Sequence, residues 1–184
     1  MTRESFIKGI TILAVDDEID ILDTIEEILD EARVDKALDY EDGLRKIKAN
    51  PYDLAILDIM GVNGLKLLEE TVSNGIPTIM LTAHAVNTDT LIESIRKGAI
   101  SYLPKERLGD LDDLLNRLMG AHEKGEPTWK LLFEMLGDYF DKRFGPGWKD
   151  AHKAFWNEFD QTYDIGRGIQ QRLLHDDRFK DKGI

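Results

Sequence analysis

No cysteine occurs among the 184 residues, which excludes a disulfide framework and a thiolate metal site. A basic surplus is missing too: Lys and Arg number 24 against 36 Asp and Glu, a net charge of −12. Phosphate-backbone binding rests on clustered cations, so this balance speaks against nucleic acid as a partner. No apolar run approaches the roughly 20 residues that a membrane-spanning helix needs. The opening stretch "MTRESFIKGITILAV" lacks the charged, apolar and small segments of a secretory signal. A cytoplasmic location with no membrane partner is therefore expected. Walker loops, GxGxxG turns and GxSxG elbows are absent, and with them the signatures of nucleotide binding and serine hydrolysis. What is present suffices for a real core: 42% of residues are hydrophobic, and 33% are charged to solvate the surface.

Short aliphatic or β-branched runs stand at 10–15 (ITILAV), 53–57 (DLAIL), 77–81 (PTIML) and 99–103 (AISYL), with a weaker one at 34–38 (VDKAL). Amphipathic helical spacing separates them. Within 18–32, Ile21, Leu22, Ile25, Ile28, Leu29 and Ala32 keep to one face. Leu44 with Ile47, Leu65 with Leu68 and Val72, Leu91 with Ile92 and Ile95, and Leu111 with Leu114, Leu115 and Leu118 repeat the theme. Alternating strand and helix predict an α/β fold, a parallel sheet covered on both faces. Asn50-Pro51 and Gly75-Ile76-Pro77 punctuate two of the helix-to-strand returns.

After "MGAHEKGEPT" (119–128) the composition shifts. Residues 1–120 hold 13 Lys and Arg against 24 Asp and Glu, whereas 121–184 hold 11 against 12. Aromatics run the other way, 4 before residue 121 and 11 after it. Gly120, Gly125 and Pro127 mark the expected boundary between a domain at 1–120 and an all-α extension at 121–184. In the extension Trp129, Leu132, Phe133, Leu136 and Phe140 share one helical face, and GPG (145–147) breaks that helix. Trp148, His152, Phe155, Phe159 and Tyr163 begin another stripe, and Ile165, Ile169 and Leu173 a third piece. Such stripes are core or interface, too large for a solvated linker. His122, His152 and His175 have no metal-ligand spacing, and the near-neutral charge lacks a basic recognition helix.

In an open parallel sheet, ligands sit beyond the carboxyl ends of the strands. Those ends carry Asp16 and Asp17, then Asp58, then Thr82, and the last run is followed by Lys105. Each has an ordinary use alone: Asp16 as a helix cap, Asp58 as a turn residue, Thr82 as a strand-end hydroxyl, Lys105 as a solvated ammonium. Together they converge on one rim, where crowded carboxylates need a cation or a raised pKa. Hard oxygen donors suit Mg²⁺, which keeps room for water and a phosphate oxygen. Asp58 is then the natural nucleophile, with Lys105 as a second point charge and Thr82 as a hydrogen-bond donor.

These residues, in the segments "ILAVDDE", "AILDIM", "IMLTAH" and "GAISYLPKE", resemble the response-regulator receiver domain of two-component signalling over about residues 8–120. The resemblance implies a flavodoxin-like five-stranded sheet of order 2-1-3-4-5 and phosphotransfer to Asp58 from a sensor histidine kinase or histidine phosphotransfer protein. It implies a Mg²⁺ site of Asp16, Asp17, Asp58 and the Met60 backbone carbonyl. It also implies a switch pair, Thr82 and Tyr102, coupled to the face around the fourth helix, fifth strand and fifth helix. The domain would be a signalling element and not an enzyme acting on external substrates. Its output would be a downstream protein partner, a homodimer or its own helical extension.

Two departures stand out. "DIMGVNG" brings Gly64 six positions after Asp58 and puts Val62 where many receivers have proline, so the loop is shortened. The order Pro104-Lys105-Glu106 excludes the cis Lys-Pro bond of many receivers and leaves Leu103-Pro104 as the proline bond there. His84, two residues after Thr82, stands where a side chain can modulate access of water. One competing reading is a Mg²⁺-dependent phosphatase on a similar sheet, which wants a second acid where Met60 stands. Another is a receiver-shaped structural module that is never phosphorylated.

Overall fold

A computed structural model of the chain describes residues 4–83 and 87–162. Five parallel strands, β1 (Thr11–Val15), β2 (Arg33–Ala37), β3 (Leu54–Asp58), β4 (Thr78–Thr82) and β5 (Ser101–Pro104), form one sheet of order β2-β1-β3-β4-β5. The expected order is the observed one. β3 and β4 are buried at every residue, as suits strands covered on both faces, while β2 lies at the edge and is largely half-exposed. Helices α1 (Ile19–Ile28), α2 (Tyr40–Ala49), α3 (Gly64–Ser73), α4 (Thr88–Arg96) and α5 (Leu111–Glu123) connect or follow the strands. The side chains of Asp39 and Asn87 accept hydrogen bonds from Asp42 N–H and Thr90 N–H, which starts α2 and α4 as N-caps do. A 3-10 segment, Lys105–Asp110, joins β5 to α5.

Helix α1 is shorter than the apolar spacing suggests. It stops at Ile28 because residues 29–32 turn the chain into β2: Gly9 N–H donates to Glu31 O and Arg33 N–H to Ile10 O. Continued helix would leave that edge pairing unmade. The expected boundary at Gly120 also falls inside a helix, since α5 runs on to Glu123. Gly120 is there for close packing. A Cβ on it would come 3.1 Å from the Phe6 ring. No described peptide bond is cis, the Leu103-Pro104 bond included.

The shortened loop after Asp58 turns through two left-handed residues, Gly61 at φ 79° and Asn63 at φ 53°. Gly64 follows so tightly that a Cβ there would sit 1.8 Å from the Asp58 carbonyl oxygen, which is backbone and cannot step aside. Gly64→Ala is expected to cost about 2–3 kcal/mol, as overpacking does. Urea denaturation would show it as a lowered midpoint with an unchanged slope.

Beyond α5, α6 (Thr128–Phe144) and α7 (Lys153–Thr162) form the helical extension. Trp129, Leu132, Leu136 and Phe140 are buried, and they belong to the same hydrophobic cluster as the sheet. Gly145 (φ 85°) and Gly147 (φ 73°) end α6, so Trp148 and Trp156 fold back toward Phe144 and Phe133. His152 Nε2 lies 3.0 Å from Asp89 Oδ1, tying the segment before α7 to α4. Tyr163 and the third piece expected around Ile165, Ile169 and Leu173 lie outside the described residues, as do His84 and His175. No helix among the described residues is long and apolar enough to cross a membrane.

Candidate functional site

Parallel register decides which side chains meet. Val15 pairs with Leu57, Asp58 with Leu81 and Thr82 with Pro104, so four strands end at one level. Asp16 continues β1 through its N–H bond to Ala37 O at 3.1 Å, and Lys105 follows β5 directly. Asp16, Asp58 and Thr82 are buried.

Lys105 is the hub. Its Nζ lies 2.7 Å from Asp16 Oδ2, 2.9 Å from Glu18 Oε1 and 3.4 Å from Asp58 Oδ1. Asp16 divides its oxygens: Oδ1 accepts from Glu18 N–H at 2.9 Å, the local capping role, while Oδ2 faces the lysine. Burial pushes the Asp58 carboxyl up to about 7, helped by the charge of Asp16 and opposed by Lys105. Burial likewise raises Asp16, against its contacts with Lys105 and Glu18 N–H. Burial works against the charge of Lys105, yet its contacts with Asp16 and Glu18 and the charge of Asp58 prevail and push the ammonium up.

The acids fit a hard divalent cation. One carboxylate oxygen from each of Asp16, Asp17 and Glu18 lies within 4.8 Å of the others. Asp16 Oδ2 and Asp58 Oδ1 are buried oxygens that accept no well-aligned hydrogen bond, close as Lys105 is. One ammonium shared among Asp16, Glu18 and Asp58 leaves negative charge that a divalent cation would balance. The loop approaches the acids closely: a Cβ on Gly61 would stand 2.5 Å from Asp17 Oδ2, which brings the Met60–Gly61 peptide beside that carboxylate.

The remaining site residues take their places around this cluster. Thr82 Oγ1 donates to Ala83 O at 3.3 Å, one strand over from Asp58. Tyr102 is fully buried, with its hydroxyl 3.2 Å from Thr90 Oγ1. Glu18 is the member that sequence reasoning missed. A third acid directly after the Asp16-Asp17 pair was its signal, but it read as the first residue of a helix. It is the N-cap of α1, and its side chain makes no cap bond, leaving the carboxylate for Lys105.

The raised carboxyls set the pH dependence of stability. The folded state holds protons on Asp58 and Asp16 that the unfolded chain, with ordinary values near 3.8, gives up. The Asp58 contribution is thus present below about pH 4 and is lost as pH rises through about 7, and the raised Asp16 carboxyl acts with the same sign. In metal-free protein, the melting temperature of the wild type is expected to fall from pH 5 to pH 7.5 relative to that of Asp58→Asn. Mg²⁺ is expected to stabilise the wild type more at pH 7.5, because it needs the ionised acids. Calorimetry at the two pH values checks both signs.

Comparison with known proteins points to one family. The family model described as "Response regulator receiver domain" matches residues 12–119. The Response regulator ArlR of Staphylococcus saprophyticus is 30% identical over 135 residues, covering 71% of this chain and 60% of that protein. The Two-component response regulator ARR18 of Arabidopsis thaliana is 34% identical over 109 residues, covering 56% of this chain and 17% of that protein. The chain therefore spans less than two-thirds of the length of these relatives. Among solved structures, a CheY-like response regulator receiver domain protein from Methanospirillum hungatei is similar with TM-score 0.57 and 29% identity, covering 64% of this chain and 98% of that one. A response regulator receiver domain protein from Clostridium thermocellum is similar with TM-score 0.54 and 29% identity, covering 62% and 97%. On its family match, its sheet order and the acids gathered at one rim, the chain belongs to the response regulator receiver domain family.

Proposed function

We propose that Asp58 accepts a phosphoryl group from a phosphohistidine of a sensor histidine kinase or histidine phosphotransfer protein, in a Mg²⁺-dependent reaction. The observation that carries this reading is the buried Asp58 carboxylate, with an orphaned oxygen 3.4 Å from Lys105 Nζ. Asp16, Asp17, Asp58 and the Met60 carbonyl would hold Mg²⁺, which when bound neutralises charge on the phosphoryl oxygens. An ionised Asp58 oxygen attacks phosphorus, the bond from phosphorus to the imidazole nitrogen breaks, and the imidazole leaves with the electron pair. Lys105 is placed to leave Asp16 and follow the new negative charge. To turn its hydroxyl toward a phosphoryl oxygen, Thr82 would give up a long bond to Ala83 O and its contact with the Tyr102 hydroxyl.

Three large apolar side chains stand exposed among the described residues: Ile19 (48%), Leu38 (47%) and Met60 (67%). They open α1, follow β2 and follow β3, all at the carboxyl end of the sheet. An apolar rim around the acids suits a protein phosphodonor better than a small phosphomonoester. The phosphatase reading lacks its second acid, since an exposed Met60 side chain stands there. The output is then contact with a downstream protein, a second copy or the helical extension, and the domain catalyses at most its own phosphotransfer and dephosphorylation. Incubation with acetyl phosphate and Mg²⁺ tests the reading: one hydroxylamine-sensitive phosphoryl group per chain is expected. Continuous turnover of small phosphomonoesters would favour the phosphatase instead.

A further inference from the structure

Helix α6 meets the strand that leads to Lys105 at three points. Near its start, Trp129 Nε1 donates to Ala99 O at 2.9 Å, just ahead of β5. Near its end, the Phe140 ring lies 6.4 Å from the Tyr102 ring, and the Tyr139 hydroxyl donates to Glu106 Oε1. Glu106 is the residue after Lys105. Strand β5 has only four residues, Ser101–Pro104, so these contacts clamp it before, behind and after. Among the described residues β5 pairs with β4 on one side and has no further strand on the other, and α6 packs against it.

We infer that α6 is part of the phosphoacceptor machinery: Tyr139 and Phe140 are positioning residues for Lys105 and Tyr102, so docking of the extension and phosphorylation of Asp58 favour each other. The inference rests on the phosphoacceptor reading of Asp58. Tyr102 is fully buried, and its hydroxyl meets those of Thr90 and Thr82. A Thr82 hydroxyl that turns toward a phosphoryl oxygen leaves a gap beside Tyr102, which the ring must fill or abandon. Phe140, packed behind the ring, blocks the outward swing and keeps it pressed into that gap. Tyr139 holds Glu106, and with it the backbone on which Lys105 stands. With α6 undocked, Trp129, Leu132, Leu136 and Phe140 would face water and Tyr102 would be free to leave. Linkage then requires reciprocity: whatever docking does for the phosphorylated state, phosphorylation does for docking.

The experiment uses the full chain as wild type, Tyr139→Phe, Phe140→Leu and Trp148→Phe. Tyr139→Phe removes only a hydroxyl and keeps the ring, so it is expected to fold. Trp148 packs against Phe144 and Trp156 within the extension and serves as a control for general loosening. Labelling is followed against acetyl phosphate concentration with Mg²⁺ present. The maximal rate is expected to fall about fivefold in Tyr139→Phe and Phe140→Leu, the lower end of typical coupling. Half-saturation should hold, and Trp148→Phe should label like wild type. In parallel, Mg²⁺ with beryllofluoride is expected to slow exchange of the Trp129 indole N–H about fivefold in the wild type. Wild-type rates in Tyr139→Phe and Phe140→Leu, or equal losses in all three variants, would overturn the positioning role and leave the phosphoacceptor reading intact. Absence of wild-type labelling would overturn both.

Discussion

Asp58→Asn is expected to reduce phosphoryl incorporation from acetyl phosphate to background, a loss of at least about 100-fold in rate, since removal of a nucleophile registers on that scale or larger. An amide has nearly the shape of the carboxylate but no anionic oxygen to attack phosphorus. The neighbours do not readily substitute. Asp16 Oδ2 is engaged with Lys105, and Asp16 Oδ1 holds Glu18 N–H. The same variant should melt no lower than wild type at pH 7.5 without metal, because the wild type must keep a buried, strained acid there. Loss of label with retained stability separates a missing acceptor from a misfolded chain. Radiolabelling with Mg²⁺ present, beside a melting curve, gives both readings.

Phe140→Ala is expected to destabilise the protein by about 3–5 kcal/mol, the usual cost of removing a buried phenyl ring. Phe140 is fully buried, stacks with Phe144 at 5.8 Å, meets Phe133 edge-on at 5.9 Å and packs on Tyr102. The loss should not be confined to the extension. Because Phe140 shares one cluster with β5 and α5, urea denaturation is expected to show a single transition at a lower midpoint. Two transitions, with the later one at the wild-type midpoint, would mean that the extension folds as a separate unit on a receiver that ignores it.

Much of the receiver was legible because its determinants are local. Buried central strands read as unbroken apolar runs, and Asp16, Asp17, Asp58, Thr82 and Lys105 fall at or just after run ends in chain order. Spacing carried less where a residue's job lies far away in sequence. Glu18 and Lys105 meet across 87 positions, and no local pattern marks that pair. Gly120 looked like a breaker, yet its missing Cβ serves the approach of Phe6. The apolar stripe of Trp129, Leu132, Leu136 and Phe140 announced a buried face without saying what buries it. Periodicity reports that one side of a helix is dry, and only the fold supplies β5 as the surface it covers. The end of α1 escaped for a similar reason: Ala32 keeps helical spacing, but pairing of β2 with β1 takes the backbone first.

Locating the phosphoryl group is the most direct test. After acetyl phosphate and Mg²⁺ treatment, borohydride reduction converts an aspartyl phosphate to homoserine, and peptide sequencing by mass spectrometry assigns its position. Homoserine at residue 58, and none when Mg²⁺ is withheld, is the predicted result. Label on another carboxylate, or label at Asp58 that is indifferent to Mg²⁺, would contradict the picture of acids gathered around a divalent ion to make one of them a phosphoryl acceptor.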